Sequence, residues 1–177
     1  MTNPISIALI TEANPAHAPT LARLAALTFT ESHGSSASAS DIEAYVAKHY
    51  TATVFEKELQ DPDNLYHLYY DQDRLAGFSK IILNTPYAGG TQPNIAKLER
   101  LYFLEGFYDK GLGAKLFDFN IDLAKAAAQA GLWLYVWKGN ERALRFYNKR
   151  GFKVVGHYDF KISETHANPN YQMFLGF

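Results

Sequence analysis

The chain has 177 residues, of which 47% are hydrophobic and 15% aromatic, enough apolar material for one packed core and an argument against a disordered chain. With 17 basic and 18 acidic side chains the net charge is −1, so no general attraction to nucleic acid or to anionic membranes is expected. The absence of cysteine excludes disulfide frameworks, thiolate nucleophiles and cysteine-based zinc sites.

Apolar periodicity and turn signals then divide the chain into strands and helices. In chain order the predicted elements are a strand over 5–10, a helix over 15–33, a helix from Ser40 or Asp41 to about Leu59, hairpin strands over 65–70 and 75–83, a strand over 95–104, a helix over 112–130, a strand over 132–137, a helix over 140–150, and strands over 152–162 and 170–177. A flexible small-residue segment, 34–40, connects the first two helices. This order predicts a mixed α/β (α+β) domain with one sheet and helices packed on it.

The termini and hydropathy bear on location and partners. Residues 1–14 lack the basic and apolar regions of a signal peptide, and no stretch approaches the ~20 apolar residues of a membrane span. We therefore expect a single cytoplasmic domain, 1–177, with neither nucleic acid nor membrane among its partners. The sequence leaves a homodimer open.

The segment Tyr108–Ala114 is the first that indicates chemistry. A strand over 101–103 precedes it, and Gly111 and Gly113 lie in the turn that opens the next helix. Free backbone N–H groups and the positive end of a helix favour an anion such as a pyrophosphate, and Lys110 could add charge. The alternative is a helix start whose glycine residues only help the chain to turn. Neither the Walker pattern nor the dinucleotide pattern G-x-G-x-x-G is present, which counts against a nucleotide-dependent enzyme.

The segment 140–152 is the second. Asn140 is a good N-cap, and Ala143, Phe146 and Tyr147 lie on one face of the predicted helix. The small Ala143 would let a ligand approach this face, and Tyr147 would place a hydroxyl group beside it. The alternative is a capped amphipathic helix with aromatic core residues.

In this order and spacing the two segments resemble the GNAT superfamily of N-acetyltransferases. The family's cofactor loop, [Q/R]-x-x-G-x-[G/A], falls on 108–113, with Tyr108 in place of Gln or Arg. Its later pattern, N-x-x-A-x-x-[F/L/I]-Y-x-x-x-G-F, is matched in full over 140–152. The resemblance implies a mixed central sheet of about seven strands with helices on both faces.

The resemblance also implies acetyl-CoA as cosubstrate and direct acetyl transfer to an amine. Tyr147 would donate a hydrogen bond or a proton to the departing CoA sulfur. Glu99 is our candidate general base, directly or through water, with an ion pair to Lys97 or Arg100 as the alternative. Glu31 and His33 would line the acceptor site. The implied cofactor-binding residues are Leu101, Tyr102, Phe103, Tyr108, Asp109, Lys110, Gly111, Leu112, Gly113, Ala114, Asn140, Ala143, Phe146 and Tyr147. The six histidines show no metal-ligand spacing, and we predict no metal.

Three further segments, 97–103, 134–143 and 157–160, resemble the bacterial PaiA-type spermidine/spermine N-acetyltransferases. That branch often has an acidic residue shortly before the methionine of its last strand, whereas this chain has Asn170-Tyr171-Gln172-Met173. The resemblance implies a small-molecule primary amine, such as a polyamine, as acceptor. The alternatives are a protein N-terminal or lysine acetyltransferase and a non-catalytic acyl-CoA-binding regulatory domain.

Overall fold

The computed structural model describes residues 8–177 as a seven-stranded mixed sheet with five α-helices packed on it. The strands are β1 (Ala8–Glu12), β2 (Asn64–Asp71), β3 (Arg74–Ile82), β4 (Ala96–Phe103), β5 (Gly131–Trp137), β6 (Lys153–Lys161) and β7 (Ala167–Gly176). The helices are α1 (Ala18–His33), α2 (Ala39–His49), α3 (Ala52–Gln60), α4 (Leu112–Ala126) and α5 (Glu141–Lys149). The predicted strand over 5–10 begins outside the described residues. The predicted fold class is confirmed.

The sheet opens between its two central strands. The strand order is β1-β2-β3-β4-β5-β7-β6, and β4 and β5 are parallel whereas the other neighbouring pairs are antiparallel. Between β4 and β5 the pairing is limited to Ala96 with Leu132 and Lys97 with Trp133. Beyond Lys97, β4 continues beside β3 as far as Phe103, while β5 continues beside β7. The two halves of the sheet therefore diverge and leave a cleft between them.

Helices cover both faces of the sheet, as strand alternation requires. In β2, Tyr66 and Leu68 are buried in a core cluster that includes residues of α1 and α3. The intervening Tyr69 belongs to another cluster, which contains Leu112 and Leu116 of α4. Burial of this apolar surface, at about 25 cal/mol per Å², holds α1 and α4 on opposite faces of the sheet.

The predicted helix from Ser40 or Asp41 to Leu59 is in fact two helices, α2 and α3. The cap of α2 is Ser38, whose hydroxyl accepts a hydrogen bond from the Asp41 N–H at 3.2 Å. Tyr50 leaves the helical conformation, with φ −115° and ψ 57°, and the Thr51 hydroxyl caps α3. A threonine cap beside a large aromatic residue therefore ends one helix and starts the next.

The predicted helix over 112–130 ends earlier, at Ala126. Ala128 has a positive φ of 56°, so the left-handed residue that ends a helix is an alanine here, and Gly131 begins β5 instead. The length and hydropathy of the helices between residues 8 and 177 fall short of those of a membrane-crossing helix.

Candidate active site

Two cavities lie where β4 and β5 diverge. The larger cavity has a volume of about 440 Å³ and the smaller about 260 Å³. Five residues line both: Leu101, Tyr102, Asn140, Ala143 and Tyr147. The two cavities therefore meet at the end of β4 and the first turns of α5. A ligand bound in one cavity would lie next to a ligand bound in the other.

The smaller cavity combines the start of α4 with apolar side chains of β4. Gly111, the N-cap of α4, has φ 73°, and Asp109 before it has φ 59°. No side chain between residues 8 and 177 caps α4, so the amides of its first turn, which lines the cavity, are open to a ligand. Among the described residues, a Cβ added at Gly113 would meet only Phe103, at 4.0 Å, so the space above this glycine is free for a ligand.

Of the predicted cofactor-binding residues, all but Lys110 line the smaller cavity. Lys110 is exposed, and its ammonium group lies 5.0 Å from the centre of the Phe107 ring. Our sequence reasoning missed Arg142, which lines the cavity and stacks its guanidinium 3.3 Å from the centre of the Tyr108 ring. Tyr108, at the loop position where the family pattern has Gln or Arg, thus stacks against a cation that α5 supplies.

Tyr147 stands at the junction of the cavities. It is 8% exposed and packs against Phe117 and Phe152, with ring centroids 6.3 and 5.4 Å away. Burial raises the pKa of its hydroxyl well above the usual range, and nearby Tyr102 adds to the effect. The hydroxyl therefore keeps its proton at neutral pH. Asn140, as predicted from its cap position, accepts a hydrogen bond from the Ala143 N–H at 3.1 Å and orients this helix.

A network of five charged side chains forms one wall of the larger cavity. The Lys80 ammonium lies 2.8 Å from a Glu58 oxygen and 2.5 Å from a Glu99 oxygen. The Lys97 ammonium lies 3.1 Å from Oε1 of Glu99, and Nη1 of Arg100 lies 3.5 Å from Oε2 of Glu58. Glu58, Lys80, Lys97 and Arg100 were not assigned to the site from sequence, although a charged residue inside an otherwise apolar strand is a usable signal.

Glu99 occupies a β-bulge. On β3, Lys80 and Ile81 pair with Arg100 and Leu98 of β4, which leaves Glu99 as the extra residue. Despite partial burial, the two lysines lower the pKa of Glu99 to about 2. Such a carboxylate is a weak proton acceptor. The ion-pair alternative is therefore favoured, with Lys80 and Lys97 as partners, and the role of general base stays a prediction.

Of the two residues assigned to the acceptor site, the structure brings only His33 into the larger cavity. Its ring stacks on Phe29 with centroids 4.6 Å apart, and burial lowers its pKa to about 4, so it is neutral at neutral pH. Glu31 is exposed and lines neither cavity. Its carboxylate instead accepts a hydrogen bond from the Glu105 N–H at 2.8 Å, because Glu31 lies on a different side of α1 from His33.

Comparison with known proteins agrees with this geometry. Residues 26–152 match the acetyltransferase (GNAT) family. An uncharacterised N-acetyltransferase from the pepI 3′ region of Lactobacillus delbrueckii subsp. lactis is 26% identical over 137 residues, 77% of this chain and 79% of the relative. The spermine/spermidine N(1)-acetyltransferase of Bacillus subtilis is 32% identical over 94 residues, 52% of this chain and 61% of the relative.

The fold has solved counterparts as well. The crystal structure of the PaiA N-acetyltransferase of Thermoplasma acidophilum, in complex with coenzyme A, superposes with a TM-score of 0.76 at 22% identity, covering 97% of this chain and 99% of that one. The family match spans more than half of the sequence and includes the diverging strands, the loop before α4 and Tyr147. The chain therefore belongs to the GNAT family and is an acetyl-CoA-dependent N-acetyltransferase.

Proposed function

We propose that this protein acetylates the primary amine of a small molecule that binds in the larger cavity, with acetyl-CoA held in the smaller one. The observation that carries the proposal is the junction of the two cavities at Tyr147. Two reactants bound side by side react with a large entropic advantage over the same reactants in solution.

The smaller cavity suits coenzyme A. The open amides at the start of α4 and the guanidinium of Arg142 would hold its phosphates, and the apolar edge of β4, from Leu101 to Phe103, would contact its pantetheine arm. When bound, acetyl-CoA supplies an activated acetyl thioester. The Tyr147 hydroxyl, protonated at neutral pH, is then in place to give its proton to the departing sulfur.

The acceptor amine must lose a proton before it attacks. Glu99 is held ionised by Lys80 and Lys97, and burial keeps the imidazole of His33 neutral at neutral pH. Both are weak proton acceptors, so in this proposal the ammonium group gives up its proton to solvent, and His33 orients the neutral amine by a hydrogen bond, directly or through water. The size of the cavity, about 440 Å³, lies in the range of small-molecule pockets.

The test is an assay of CoA release with purified protein, acetyl-CoA and a panel of polyamines, amino acids and other small amines. We expect turnover of at least one small amine, and a rise in unfolding temperature with acetyl-CoA alone. No acetyl-CoA binding would overturn the proposal.

Tyr147→Phe isolates the chemical step. The variant should lower kcat by about 10² to 10³ while acetyl-CoA affinity changes less than threefold, because the ring still fills its site. Tyr87→Phe, in the loop between β3 and β4 and outside both cavities, is the matched control. Equal kcat values for the two variants would remove the proton donor from the mechanism.

A further inference from the structure

We propose that the acceptor is a primary amine that also carries a carboxylate, and that the larger cavity recognises this negative group with Arg100 and Lys97. The proposal rests on the function proposed above and narrows it. It starts from an imbalance of charge in the wall of the cavity.

The wall contains three cations, Lys80, Lys97 and Arg100, and two carboxylates, Glu58 and Glu99. Both carboxylates have lowered pKa values and are ionised at neutral pH. A surplus of one positive charge in a partly desolvated pocket is costly unless an anion neutralises it. One carboxylate on the ligand would restore the balance.

Both carboxylates already neutralise the protein's own cations. The Oε2 atom of Glu58 accepts hydrogen bonds from Lys80, Arg100 and the Tyr66 hydroxyl, while both oxygens of Glu99 face lysines. A polycationic acceptor would add to the positive surplus of this wall.

Arg100, in contrast, has donors to spare. Its Nη1 group donates to Glu58 and to the Tyr66 hydroxyl, and its other guanidinium nitrogens form no hydrogen bond with any residue between 8 and 177. Guanidinium presents paired N–H groups that match the two oxygens of a carboxylate. Lys97 offers a second cation. Its side chain is 19% exposed, and the ion pair that it forms within the described residues is the one with Glu99.

Cations bind over ring faces, and on two aromatic rings of the cavity the protein's own cations already do so. Lys97 lies 5.3 Å from the centre of the Tyr135 ring and Arg100 lies 5.5 Å from that of Tyr50. The amine end of an acceptor has a separate partner in Asn170. Its Oδ1 is buried at the cavity wall and has no hydrogen-bond partner within the described part of the chain.

The experiment compares amino acids with the amines that remain when their carboxylates are removed: leucine with isopentylamine, phenylalanine with phenethylamine, and tyrosine with tyramine, alongside spermidine. We expect kcat/KM for CoA release to be at least tenfold higher for the amino acid of at least one pair. Equal or better turnover of the plain amines or of spermidine would overturn the proposal and leave the proposed function standing.

A binding measurement separates the two proposals further. Thermal unfolding with CoA present should show protection by an amino acid and less protection by its plain amine, whether or not acetyl transfer occurs. If amino acids protect the protein but no compound is acetylated, the result counts against the proposed function only. If none of the three amino acids protects the protein, the proposal of carboxylate recognition is overturned.

Lys97→Gln tests the surplus charge itself. It removes one cation, while Glu99 keeps its ion pair with Lys80. We expect KM for the preferred amino acid to rise about tenfold and KM for its plain amine and for acetyl-CoA to stay within twofold. Lys153→Gln, on an exposed position of β6, is the matched control. Identical KM values for the amino acid in the two variants would contradict recognition by Lys97.

Discussion

His33 shows how a single buried side chain ties stability to pH. Its pKa falls from 6.5 to about 4 on folding, because burial disfavours the imidazolium form. Between these values the unfolded chain binds a proton that the folded protein does not, so stability decreases as the pH falls from 6.5 to 4. The full effect is up to about 3 kcal/mol.

We expect His33→Gln to flatten this dependence. Urea unfolding at pH 7 and at pH 4 should show a smaller loss of unfolding free energy in the variant than in the wild type. The exposed His157, changed to Gln, is the control and should leave the wild-type difference in place. A variant that loses as much stability as the wild type would show that His33 is not the group responsible.

Glu99 allows the ion-pair and general-base interpretations to be separated. If it serves mainly to pair with Lys80 and Lys97, then Glu99→Gln should lower the unfolding temperature by a few degrees and kcat by less than tenfold. The measurement is a kcat profile from pH 6 to 10 for both proteins. A loss above a hundredfold that recovers at high pH would restore Glu99 as the base.

For individual residues, the sequence was informative where a role depends on a local motif. Asn140 and Tyr147 lie where the motif in 140–152 placed them, one capping α5 and the other at the cavity junction. The charged wall was not foreseen, because Glu58 of α3 and Arg100 of β4 meet only in the folded protein. Ion pairs across 42 residues leave no trace in local spacing.

Among the elements, the turn before α4 depends most on backbone conformation. Gly111 has φ 73°, a value that costs other residues about 1–2 kcal/mol. We expect Gly111→Ala to weaken acetyl-CoA binding by up to about tenfold, because the strained loop shifts its amides. Calorimetric titration of acetyl-CoA would measure this.

Gly106→Ala is the control for that substitution. Gly106 lies in the one-turn 3₁₀ helix Glu105–Phe107, and an added Cβ would meet no atom of the described residues within 4 Å. Its acetyl-CoA affinity should stay within twofold of the wild type. Equal affinities for the two alanine variants would contradict the role given to the left-handed glycine.

Element types were predictable and several boundaries were not. The hairpin of β2 and β3 followed from two apolar runs around the turn Gln72-Asp73, whose positive φ values suit a tight hairpin. The break at Tyr50 was missed because apolar spacing continues through α2 and α3. Tyr50 leaves the helix where its ring packs against Phe29 and Phe55, which is a tertiary contact.

For the molecule as a whole, the cleft predicts where a ligand changes protection from solvent. Within the described part of the chain, amides of β4 on the side away from β3 have no strand partner beyond Lys97, and those at the start of α4 have no side-chain cap. Acetyl-CoA should slow hydrogen exchange at 98–103 and 111–114 and leave the β2–β3 hairpin unchanged. Uniform slowing over all strands would instead indicate global stabilisation without a local site.

The stack of Arg142 on Tyr108 has an evolutionary consequence. The cation beside the loop that precedes α4 comes from α5, 3.3 Å from the centre of an aromatic ring at the position where the family pattern has Gln or Arg. Changing one partner alone would leave either an arginine without its platform or a ring without its charge. Homologues should therefore vary these two positions together, with a basic or amide residue returning to the loop wherever the helix has lost its arginine.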